Sequence, residues 1–114
     1  MKPGDVILIS YPFTDLSATK VRPALVISSE EYNQREDDVI VLPITHNISR
    51  GSEEDVYLQT RDEGFQETGL KKASAIRTGK IFTLQKDLAK SRLGNVYEKL
   101  LDEVRRVLKK LLEI

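Results

Sequence analysis

The chain has 114 residues, 39% apolar and 32% charged, a balance that fits one compact domain with a core and excludes global disorder. Its 18 Lys and Arg match 18 Asp and Glu, so it is neither a polycation that coats nucleic acid by bulk charge nor an acidic tail. Without Cys it has no disulfide, thiolate zinc site or cysteine nucleophile, and with a single His it is expected to hold no metal and to need no cofactor.

Val6 to Ile9 is a β-branched and Leu run that predicts a first strand, broken at Ser10-Tyr11-Pro12. Phe13 to Lys20 is mostly polar and reads as a long loop. Arg22-Pro23 stands at its far edge, and Ala24 to Ser28 predicts a second strand that is apolar on both faces. Val39-Ile40-Val41-Leu42 predicts a third, closed by Pro43 and followed by Ile44-Thr45-His46. After the turn residues Arg50-Gly51-Ser52, Asp55 to Gln59 predicts a weaker fourth. Ser74 to Thr78 and Lys80 to Leu84 flank Gly79, where a bend or bulge is expected. From Val96 to Ile114 the apolar residues fall at 97, 101, 104, 108 and 111, widened by 100, 107 and 112, which is helical spacing with one apolar face. Asn95 is the expected cap, with Glu98 three residues on as its reciprocal partner.

Five or six short strands and a terminal helix make a single, mainly β domain over residues 1–114. The strands are expected to curl into a small antiparallel barrel over about residues 2–84, with the helix of about 95–114 as a lid or partner surface. Apolar runs such as Ala24-Leu25-Val26-Ile27 fall far below the roughly 20 residues of a membrane span, and Met1 to Asp5 lead into a strand rather than a signal-peptide apolar region. A cytoplasmic protein with no membrane partner is expected.

The neutral total hides a partition. Residues 30–38 carry Glu30, Glu31, Glu36, Asp37 and Asp38 against Arg35, and residues 53–67 carry Glu53, Glu54, Asp55, Asp62, Glu63 and Glu67 against Arg61. Residues 71–92 reverse the sign, with Lys71, Lys72, Arg77, Lys80, Lys86, Lys90 and Arg92 against Asp87. Such a basic segment can supply phosphate contacts whatever the net charge, or it can be a solvated face. Tyr11 and Phe13 are of the type that stacks on splayed bases, or that packs beneath the loop as core; Lys20 closes the same loop.

Three pieces then line up: Gly4-Asp5-Val6 opening a strand and, after the loop, Arg22-Pro23-Ala24-Leu25-Val26-Ile27; Val39-Ile40-Val41-Leu42-Pro43-Ile44-Thr45; and Ser74-Ala75-Ile76-Arg77 continuing to Phe82-Thr83-Leu84. In this order and spacing the chain resembles the PemK/MazF family of toxins from bacterial toxin–antitoxin pairs, from about Lys2 to about Leu84. The resemblance implies an SH3-like barrel, a homodimer, and a sequence-selective, metal-free endoribonuclease acting on single-stranded RNA. It also implies a cognate antitoxin whose disordered tail occupies the RNA groove. Arg22 and Thr45 match the two positions the family ties to cleavage, and Arg77 matches an Arg that some relatives carry on a later strand. Those relatives place an acid two residues beyond that Arg; here the position is Gly79, and the first loop lacks the His that others carry, so no residue is assigned as proton acceptor. A catalytically weak binding module on the same barrel is the alternative.

The side chains suit the implied chemistry. When a ribose 2′-hydroxyl attacks the adjacent phosphate, charge builds on the non-bridging oxygens, and fixed donors aimed at them lower the barrier. Arg22 offers a planar fork suited to phosphate, and its guanidinium stays protonated, so it is a poor base. Thr45 offers a hydroxyl that donates to the same oxygens or orients the nucleophile. His46 adjoins Thr45, although neighbours in an extended chain point to opposite faces. With Lys71, Lys72 and Lys80 it completes the expected RNA-binding set.

Overall fold

The computed structural model describes residues 1–10, 21–49 and 51–114. Tyr11, Phe13 and Lys20, the loop read between them, and Arg50 lie outside these residues. In chain order the elements are β1 (Asp5–Ser10), β2 (Val21–Val26), α1 (Glu30–Arg35), β3 (Asp38–Thr45), β4 (Asp55–Leu58), β5 (Ser74–Arg77), β6 (Phe82–Gln85), β7 (Ala89–Asn95) and α2 (Glu98–Leu112).

Among the described residues the strands form one antiparallel sheet in the order β4-β5-β3-β2-β1-β7, with β6 also paired to β3. β3 is the hub. On one side it pairs β2 through Val41, Leu42 and Pro43. On the other, its first half pairs β6 through Asp38 to Val41, and its end pairs β5 through Ile44 and Thr45. Pro43 does not close this strand as expected; the strand runs through it. The ladder to β6 ends at Val41 and the ladder to β5 begins at Ile44, so a residue without an N–H falls where the outer neighbour changes.

β1, β2 and β3 are apolar on both faces, as their unbroken Val, Ile and Leu runs require. One face buries Val6, Leu25, Leu42, Ile44, Val56, Leu58 and Ile76 beneath Val96, Leu100 and Val104. The other buries Ile7, Ile9, Ala24, Val26, Val39, Val41 and Leu84 against each other. Leu101, Val107 and Leu108 add to the first cluster, so the apolar stripe of α2 does what its spacing predicts. The stripe then runs off the core: Leu111 and Leu112 are 39% and 50% exposed.

Four further expectations are corrected. The pairing does not close into a barrel, because β4 and β7 end the path and α2 packs over the apolar face between them. Strands number seven among the described residues, because β7 is an additional edge strand. Residues 30–35, read only as charge, form α1, whose Ser29 cap accepts a hydrogen bond from the Tyr32 N–H at 3.1 Å. Finally, Asn95 does not cap α2. It pairs with Asp5 as the last residue of β7, so the helix starts at Glu98 with Tyr97 before it. No helix among the described residues is long and apolar enough to cross a membrane.

Candidate active site

Strand alternation assembles the site. Residues two apart on a strand share a face, and so do residues directly opposite on neighbouring strands. Arg22 lies two from Ala24, which pairs with Pro43; Pro43 lies two from Thr45, which pairs with Ala75; and Ala75 lies two from Arg77. Arg22, Thr45 and Arg77 therefore emerge on one face from three adjacent strands. A cavity of about 380 Å³ opens there, lined by these three with Pro43, Ile44, His46, Asn47 and Lys80.

Each donor is held differently. The Thr45 Oγ1 accepts a hydrogen bond from the Asn47 N–H at 3.1 Å, which fixes the hydroxyl and leaves its hydrogen to donate. Asn47 is locked in turn, since its Oδ1 accepts from the Ser49 hydroxyl at 2.7 Å. Arg77 donates from Nε to the Asp55 carboxylate at 3.0 Å, across the β4–β5 pair that sets these residues opposite each other. Arg22 is half-buried and makes no ion pair among the described residues. The Lys80 N–H bonds to the Arg77 carbonyl at 3.0 Å, a turn that folds Lys80 back beside the cavity. Gly79 within that turn is exposed, and an added Cβ would meet only the Glu54 side chain, at 3.8 Å.

His46 departs from the alternation expected of it. It lies one residue past β3, where the extended chain has ended, and it lines the same cavity as Thr45. It also borders a smaller basin of about 180 Å³ lined by Pro23, Leu70, Lys71, Lys72 and Ser74. The basic segment thus divides. Arg77, Lys80, Lys71 and Lys72 face these two basins, whereas Lys86 donates to the Asn33 carbonyl at 2.6 Å and Arg92 to Asp5 at 3.2 Å. Sequence reasoning missed Asp55 and Asn47; an acid opposite Arg77 is visible only once the β4–β5 register is known.

Size alone does not select this site. A larger concavity of about 660 Å³ lies against α2, but Asp62, Glu63, Glu67 and Glu103 surround it with only Lys99 opposed. Such a surface repels phosphate. Among the described residues no group of His, Cys, Asp and Glu is placed to hold a metal ion.

Comparison with solved structures finds the same fold. The endoribonuclease of a mycobacterial species, in complex with its cognate antitoxin, superposes with a TM-score of 0.78 at 20% identity, covering 100% of this chain and 96% of that one. The Mycobacterium tuberculosis toxin MazF-mt6 gives 0.76 at 17% identity, covering 99% and 98%. MazE–MazF from Deinococcus radiodurans gives 0.74 at 22% identity, covering 100% and 96%. Among curated proteins no sequence matches the chain. The model of one protein family matches residues 2–112, nearly the full length, and by that match the chain belongs to the PemK-like, MazF-like toxins of type II toxin–antitoxin systems.

Proposed function

We propose that the chain is the toxin of such a pair, acting as a metal-independent, sequence-selective endoribonuclease on single-stranded RNA. The observation that carries this reading is the convergence of Arg22, Thr45 and Arg77 on one sheet face around one cavity. The ribose 2′-oxygen loses its proton and attacks the neighbouring phosphorus in line, the bond to the 5′-oxygen breaks, that oxygen takes a proton from solvent, and a 2′,3′-cyclic phosphate and a 5′-hydroxyl remain. Arg22 and Arg77 meet the charge that builds on the non-bridging oxygens, and Thr45 donates to the same oxygens. Of the side chains lining the cavity, the His46 imidazole is the one equipped to take the 2′ proton. Lys80, Lys71 and Lys72 extend the positive surface along the RNA backbone.

Antitoxin-bound relatives support a cognate antitoxin as partner, one that competes with RNA for this surface. The apolar end of α2, exposed at Leu111 and Leu112, supports a homodimer. Incubation of the purified protein with single-stranded RNA in excess chelator tests the activity, and cyclic phosphate ends are the expected product. Loss of cleavage in chelator with recovery in magnesium contradicts it. Gly79, where an acid is expected, favours a second reading as a binding module; tight RNA or antitoxin binding without cleavage selects that reading.

A further inference from the structure

We propose that Asp55 is a positioning residue of this site, presenting Arg77 to the reacting phosphate. The proposal rests on the reading of the cavity as an RNA-cleaving centre. The Asp55 side chain is only 2% exposed. A carboxylate buried to that degree is costly unless paired and hydrogen-bonded. It accepts three hydrogen bonds from two residues: from Arg77 Nε at 3.0 Å, from the Ser52 N–H at 3.2 Å and from the Ser52 hydroxyl at 3.3 Å. The acid is therefore a fixed point, and the guanidinium is hung from it. Using Nε leaves the two Nη groups of Arg77 for the cavity that Arg77 lines, and among the described residues they make no hydrogen bond.

Asp55 itself does not line that cavity. It stands behind Arg77 and offsets the mutual repulsion of Arg22, Arg77 and Lys80 around one basin. A strand residue has two natural places for an acid on its own face: two residues along the chain, or directly across the ladder. Here position 79 is Gly, and the acid is across the ladder at Asp55, in register with Arg77.

The test is Asp55→Asn, which keeps the shape and removes the charge, read by single-turnover cleavage at saturating RNA and by the Arg77 Nε–H resonance in NMR. The expected result is a rate about 10- to 100-fold lower, with RNA affinity changed less than about threefold. The Nε–H resonance, assigned by its loss in Arg77→Lys, is expected to shift and to exchange faster. In an Arg77→Ala background Asp55→Asn is expected to slow cleavage no further, because it acts through Arg77. A rate within about twofold of wild type, or an equal penalty with and without Arg77, overturns the proposal and leaves Asp55 structural. If Asp55→Asn does not fold, Ser52→Ala removes one of its hydrogen bonds; a smaller drop in rate with a shifted resonance supports the proposal, and no change in either overturns it. If the wild-type protein cleaves no RNA, the reading of the site fails on its own, and an Nε–H resonance unmoved by Asp55→Asn overturns the positioning role separately.

Discussion

The Thr45 hydroxyl is poised by its neighbour: the Asn47 N–H is bound to its oxygen, which leaves its hydrogen to donate, and Thr45 lines the cavity. Thr45→Val preserves volume and removes that donor, so cleavage is expected to fall about 100-fold, whereas Thr45→Ser retains most of it; single-turnover rates check both. Tyr97 offers a test of a different kind. Burial, then the nearby Asp62 charge and the hydrogen bond to it, push its phenol up to about 12. A phenol held protonated by the fold contributes stability that is intact below its ordinary value near 10 and lost as the pH rises toward 12. Wild type is therefore expected to lose more stability than Tyr97→Phe between those limits, measured by urea unfolding at a series of pH values. Equal losses contradict the Tyr97–Asp62 contact. At this scale the sequence was informative where a motif carried the residue, as with Arg22 beside Pro23 and Thr45 after Pro43. It was silent on Asp55, because a partner 22 residues away along the chain is fixed by strand register and not by spacing.

Elements with an unbroken apolar run, β1, β2 and β3, were legible because burial on both faces leaves no room for polar residues. β7 was not. It is an edge strand of sequence AKSRLGN, mostly exposed, and charge on an edge discourages pairing with other chains without forbidding the strand. α1 escaped because its buried residue is the polar Asn33, whose Nδ2 donates to the Met1 and Ser28 carbonyls at 3.0 Å, so it shows no apolar stripe. The start of α2 was misplaced because Asn95 has a cap's chemistry but is committed to the ladder with β1. Two glycines separate close packing from open turn. At Gly94, β7 crosses the backbone of Glu67 and Thr68 so closely that a Cβ would strike carbonyl groups that have no freedom to yield. Gly94→Ala is expected to cost roughly 1–3 kcal/mol. Gly79 is unobstructed and does not have a positive φ, so Gly79→Ala is expected to gain about 0.4–1 kcal/mol by restricting the unfolded chain. Urea denaturation measures both, and a neutral Gly94→Ala contradicts the packing described.

Over the whole molecule, zero net charge conceals two surfaces of opposite sign. The basins beside Thr45 and His46 are cationic, and the concavity against α2 is acidic. RNA is expected to see only the first. Replacing Lys71 and Lys72 together is expected to weaken binding across sequences and to flatten its salt dependence by about 0.7 log units for each phosphate left without a cation; an unchanged slope makes them a solvated face. Whether the Arg22 cavity performs chemistry on RNA decides between the two readings of the protein. The most direct measurement is single-turnover cleavage of single-stranded RNA in excess chelator, wild type against Arg22→Ala, with folding of the variant checked by circular dichroism. Wild type is expected to cleave and the folded variant to lose about 100- to 1,000-fold, the cost of one preorganised donor at the transition state. Equal rates for the two folded proteins would contradict a catalytic role for this cavity.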